Sequence, residues 1–116
     1  MARTDLGRLR KGREFDHVYE KGTVSSGPFF VIRALPNGLD GARAGFAVGK
    51  KLVPLATRRN LVRRRLRGAL RAAGVPGGLD VIVSAKSAAV GAEYGRFEAA
   101  LARELALALE RARSRE

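Results

Sequence analysis

The sequence of 116 residues has no cysteine and no tryptophan, a single histidine and four prolines. The missing cysteine excludes disulfides and every thiolate metal site. With His17 alone, neither a histidine-based zinc centre nor a Ser-His triad can be assembled. Acidic residues are scarce as well: 11 Asp+Glu stand against 23 Lys+Arg. Those carboxylates are scattered singly, with no paired motif for metal-assisted phosphodiester cleavage. The sequence therefore points to no catalytic residue and no metal ligand of its own. No apolar run approaches the length of a membrane span. Asp5 and five basic residues occupy the first thirteen positions in place of a signal peptide's apolar stretch. The expected location is the cytoplasm, without membrane attachment.

What is present is positive charge on a foldable chain. Apolar content of 46% with period-2 and period-3.6 patterns argues for a packed core, and the length suits one domain spanning residues 1–116. Residues 1–12 (MARTDLGRLRKG) read as polar, basic and loosely ordered. The net charge of +12 calls for a polyanion, nucleic acid before lipid. Between Gly41 and Leu79 there are ten basic residues and no acidic one. Arginine outnumbers lysine 18 to 5, which suits bidentate phosphate recognition. A GC-rich genome would also raise that ratio, but it does not explain the clustering.

The spacing predicts the elements in the order α-β-β-α-β-α, with helices on one side of a small sheet. A short helix fits REFDHVYEK, with Phe15, Val18 and Tyr19 on one face and Gly22 ending it. GPFFVIRAL alternates Phe30, Ile32 and Ala34 against Phe29, Val31 and Arg33. After the Pro36-Asn37-Gly38 turn, ARAGFAVGKK reads as a second strand, with Ala47 and Gly49 on its bare face. Thr57 is the expected N-cap of a helix reaching Ala73 and closed by Gly74. Gly68 inside that helix costs about 1 kcal/mol relative to alanine and is tolerable on an exposed side. LDVIVSAK is a buried strand, and Glu93 to about Arg113 a long amphipathic helix.

The stretch TRRNLVRRRLRGALR carries the strongest signal. Val62, Leu66, Ala69, Leu70 and Ala73 form its apolar stripe, and Asn60, Arg63, Arg64, Arg67 and Arg71 a band beside it. Arg59 sits at the border; Arg58 and Arg65 lie on the opposite flank. A charge run is usually only a solvated face. Here no acidic residue stands four positions away to relieve the repulsion, so a polyanion must do so. Phe15, Tyr19, Phe29 and Val31 offer a groove for stacking single-stranded bases, or else simply pack the helix onto the sheet. The small residues Ala47 and Gly49 leave room for an extended strand.

The chain resembles the protein subunit of bacterial ribonuclease P, from LRKGREFDHVYEKG through GFAVGKK and RNLVRRRLRGAL to LDVIVSAK and the last helix. The resemblance implies an α/β (α+β) two-layer sandwich: a four-stranded sheet with three helices and a left-handed β-α-β crossover around the basic helix. It also implies a non-catalytic partner of a catalytic RNA that removes the 5′ leader of precursor tRNA with Mg²⁺. Matching the family's motifs, Arg59, Asn60, Arg63, Arg64 and Arg67 fall on the helix that docks on the RNA subunit, with Arg58, Arg65 and Arg71 beside them. Phe15, Tyr19, Phe29, Val31, Arg33, Gly49, Lys50 and Lys51 fall on the leader cleft. Leu61 replaces the second arginine of the family's Arg-Asn-Arg signature, which takes one donor out of that helix. The loop LVPLATR lacks the usual Gly-Asn, and Arg33 stands where an aromatic often lines the cleft. The competing expectations are a ribosomal or general RNA-binding protein, and a peripheral membrane protein. The aliphatic stripe of the basic helix argues against the second.

Overall fold

Alternation along three apolar segments builds the centre of the molecule. In the computed structural model, which describes residues 6–115, Phe30–Pro36 (β3), Ala42–Ala47 (β4) and Leu79–Ala85 (β5) are its middle strands. Two short strands flank them, Leu6–Arg8 (β1) and Thr23–Ser26 (β2), in the order β1-β4-β5-β3-β2. The helices are Arg13–Lys21 (α1), Ala56–Ala73 (α2), Ser87–Val90 (α3) and Tyr94–Arg115 (α4). The five-stranded sheet with four helices corrects the expected four strands and three helices. β1 comes from the basic run expected to be loose; residues 1–5 lie outside the described part. β1 and β5 each pair with β4 in parallel, while β3 pairs with β5 and β2 in antiparallel fashion.

On one face, Phe30, Ile32, Ala34, Phe46, Val81 and Val83 meet Leu66 and Leu70 of α2 and Phe97, Leu101 and Leu105 of α4. The rings of Phe30 and Phe97 cross edge to face at 5.3 Å. Burying each large side chain contributes about 1.5–3 kcal/mol, so this face carries most of the stability. α1 lies on the other face, where Val18 packs with Leu9 and Ile82. The helices thus cover both sides of the sheet, and the two-layer expectation is corrected. The reason is the run Val81-Ile82-Val83, buried on both faces at once.

Two buried carboxylates hold this frame, and neither stood out in the sequence. Glu104 of α4 accepts the backbone N–H of Phe29 at 3.1 Å and of Phe30 at 2.9 Å, which sets where β3 begins. A side chain at Gly27 would overlap that carboxylate. Asp80 of β5 accepts Arg43 Nε at 2.8 Å, Arg43 Nη2 at 2.7 Å and Asn37 Nδ2 at 2.9 Å. Arg43 also pairs with Glu14 of α1 at 3.2 Å, and Glu14 accepts the N–H of Arg10 at 2.7 Å. The chain Asn37–Asp80–Arg43–Glu14–Arg10 therefore fastens α1 to the sheet.

α2 starts at Ala56 with Leu55 as its N-cap and no side-chain cap, not at the expected Thr57. Arg59 reaches back instead, donating to the carbonyls of Val53 at 3.0 Å and Pro54 at 2.8 Å. Gly74, at φ 85°, ends the helix as expected. Gly68 is exposed, and a Cβ there would stand 3.5 Å from Tyr94 Oη, an ordinary contact. The Gly68→Ala variant is accordingly expected to be more stable by about 0.5–1 kcal/mol. Urea unfolding monitored by circular dichroism checks this; a loss of stability would show that Tyr94 needs the gap.

Candidate nucleic-acid interface

Strand register sorts the face under α1 into three cross-strand rows. The row Leu35–Asp80–Arg43 is the ion-paired end just described. The middle row, Val24–Arg33–Ile82–Gly45, is the one α1 crosses. Val18 sits with Ile82, and Tyr19 lies under the Arg33 guanidinium at 4.6 Å from its ring centroid. Phe15 rests against Gly45, where even a methyl group would overlap the ring. The third row, Ser26–Val31–Ser84–Ala47, is built from uncharged, mostly small side chains, with Ser26 exposed and the other three half-buried. It forms a shallow floor beside α1, rimmed by Phe15 and by Tyr19, whose rings stand 6.3 Å apart.

Phe15, Tyr19, Val31 and Arg33 are thus brought together around one cleft. Phe29 is not. Its ring packs with the core on the α4 side of the sheet, under Arg96 at 5.8 Å. Alternation had put Phe29 with Val31, but Glu104 captures two successive N–H groups and turns the chain before β3 starts. Gly49, Lys50 and Lys51 follow the end of β4 and are exposed, and Gly49 has nothing within 4 Å of a would-be Cβ. The residue whose smallness shapes the cleft is Gly45. It carries no side chain to notice, and the alternation of β4 was the signal that could have found it.

The arginines of α2 divide into three groups. Arg58, Arg64, Arg65 and Arg71 are exposed. Arg59 is occupied by the Val53 and Pro54 carbonyls, and Arg63 by Asn60 Oδ1 at 3.0 Å. Arg67 leans inward over the Phe46 ring at 5.1 Å and donates to the Leu6 carbonyl at 3.3 Å. Burial, then the charges of Arg8 and Arg71, lower its pKa from the ordinary arginine value. Together with Arg63 and Arg64 it walls a cavity of about 570 Å³, closed on the other side by Arg8, Arg10 and Lys11. No ion pair among the described residues joins these six cations to a carboxylate. Arg8, Arg10 and Lys11 were hidden in the sequence because the segment carrying them looks unstructured.

A one-signed helix ridge, a cationic cavity and a neighbouring shallow cleft define a class: an α+β binding protein shaped for a polyanion. Comparison with known proteins gives the family. Residues 4–112 match the ribonuclease P family model. The chain is 36% identical over 91 residues to the ribonuclease P protein component of Dehalococcoides mccartyi strain CBDB1, covering 78% of this chain and 75% of that one. It is 43% identical over 83 residues to the component from Chromobacterium violaceum, covering 70% and 68%. Among solved structures, the Staphylococcus aureus ribonuclease P protein superposes with a TM-score of 0.78 at 28% identity, covering 87% of this chain and 94% of that one. The Thermotoga maritima protein gives 0.72 at 27% identity, covering 90% and 96%. The chain belongs to the ribonuclease P protein family, the protein component of a ribonucleoprotein endoribonuclease.

Proposed function

We propose that this chain docks on the catalytic RNA of ribonuclease P through the α2 ridge and holds the 5′ leader of precursor tRNA in the cleft beside α1. The observation that carries the reading is the meeting of two different surfaces. Asn60, Arg63, Arg64 and Arg71 supply charge and donors for a phosphate backbone. The half-open row Val31–Ser84–Ala47, rimmed by aromatic rings, suits an extended single strand. Lys50 and Lys51 add charge at the strand end, and Arg33 stacked on Tyr19 makes the rim cationic as well as aromatic. Arg58 and Arg65, on the other flank, are near enough in sequence to stand in for the arginine that Leu61 replaces. The crossover β4-α2-β5 is read as left-handed on the family resemblance.

Cleavage itself is assigned to the RNA. Among the described residues no three His, Asp or Glu side chains come together. Mg²⁺ is proposed to act mainly through the RNA subunit and the protein–RNA complex. No helix among the described residues is long and apolar enough to cross a membrane, and the cytoplasm, where precursor tRNA is processed, is the proposed location.

Tyr19→Ala provides the test. It removes an exposed ring from the rim of the cleft while leaving α2 and the cavity beside it untouched. In the holoenzyme, KM for a precursor with a leader of several nucleotides is expected to rise about ten-fold, in line with roughly 1–3 kcal/mol for one base stacked on an aromatic ring. KM for a one-nucleotide leader stays at the wild-type value. An equal rise for both substrates would mean that the cleft does not hold the leader. RNA binding with no effect on leader removal would favour a general RNA-binding protein.

A further inference from the structure

We infer that the cavity between β1, α1 and α2 takes one unstacked nucleotide of the RNA partner, with Arg67 as its anchor. The inference rests on the reading of α2 as an RNA-docking helix and deepens it. Three observations support it. The first is the state of Arg67. A guanidinium has five N–H donors, yet the one acceptor found for it among the described residues is the Leu6 carbonyl, at the long distance of 3.3 Å. It is partly desolvated and flanked by Arg8 and Arg71, like charges that an arriving anion would relieve. The second is its orientation. Phe46 supports the guanidinium at 5.1 Å, and a base stacks well on a guanidinium plane held in place.

The third is the cavity's mixed lining. A site for a bare phosphate needs only cations, whereas this one also has the half-buried ring of Phe15 in its lining. Its volume of about 570 Å³ lies within the roughly 300–1,000 Å³ usual for sites that enclose a small organic group. Duplex bases are stacked and paired, so a nucleotide entering such a recess must be unpaired. The cations of the rim continue along α2, which makes the docked RNA the source favoured over a free nucleotide. Arg8, Arg10 and Lys11 thereby become part of the RNA-binding site.

Charge-conserving substitutions separate this role from simple electrostatics. Arg67→Lys keeps the charge and removes the plane. Its affinity for the cognate catalytic RNA is expected to fall about ten-fold with an unchanged salt slope. Arg103→Lys, exposed on α4 and outside the cavity, should stay within about two-fold. Equal, small effects at the two positions would overturn the inference, with melting temperatures confirming that both variants fold. A second measurement uses the free protein. Adenosine 5′-monophosphate should shift the Gly45 amide and Arg67 Nε–H resonances more than inorganic phosphate does at the same concentration. Equal shifts would mean an anion site without base recognition, and no shift would mean no site. A wild-type protein that fails to bind the catalytic RNA would refute the docking reading and exclude RNA as the source. The nucleotide titration would still decide whether the cavity takes a base.

Discussion

Replacing Arg63, Arg64 and Arg67 together with alanine is expected to weaken binding to the catalytic RNA by about 10²–10³-fold near physiological salt. The slope of log affinity against log salt should flatten by roughly 2–3, since each neutralised phosphate contributes close to one unit of slope. The three side chains share the wall of one cavity, and Arg58, Arg65 and Arg71 remain to give residual binding. The fold should survive, because the buried stripe Val62, Leu66, Ala69 and Leu70 is untouched and like-charge repulsion falls. Binding titrations at four salt concentrations decide it. Unchanged affinity and slope would remove α2 from the interface.

Asp80→Ala is expected to lower the unfolding free energy by about 2–4 kcal/mol. Breaking a buried ion pair ordinarily costs roughly 3–5 kcal/mol, and the partial exposure of the Arg43 side chain, 28%, reduces that figure. The hydrogen bonds that Arg43 donates to Asp80, opposed by burial and helped by the charges of Asp80 and Glu14, raise the Arg43 pKa. Arginine is charged at any accessible pH, so it cannot escape by neutralising once Asp80 is gone. Asn37 Nδ2 is deprived of an acceptor at the same time, keeping only the Gly41 carbonyl at 3.1 Å. Equilibrium unfolding in urea measures the effect. A change below about 1 kcal/mol would show that Glu14 and solvent suffice for Arg43, and that the network does not fasten α1.

The parts legible in the sequence were those whose signal is periodic or one-signed. REFDHVYEK folds as α1 over the predicted residues. Val62, Leu66, Ala69 and Leu70 of the stripe mark the buried side of α2, while in the charge band Asn60, Arg64 and Arg71 are exposed and Arg67 turns inward. β3 and β5 show clear apolar character, and their bounds follow it closely. β1 and β2, with three and four residues, are too short and polar for any pattern to register. The side of the sheet that α1 covers was hidden because Val81-Ile82-Val83 is apolar in both directions. Cleft composition was half legible: Tyr19 and Arg33 meet, but Phe29 is diverted by a carboxylate some 75 positions away. Gly45 and Asp80 matter through a partner distant in the chain, Phe15 and Arg43 respectively, and no local window contains both members of either pair.

The central claim is that this protein assists an RNA by charge and by holding the leader. Its most direct test is cleavage of precursor tRNA by the cognate catalytic RNA at low Mg²⁺, with and without the protein, at two salt concentrations. The account predicts strong stimulation by the protein that fades as salt rises. Tight RNA binding without any stimulation would contradict it.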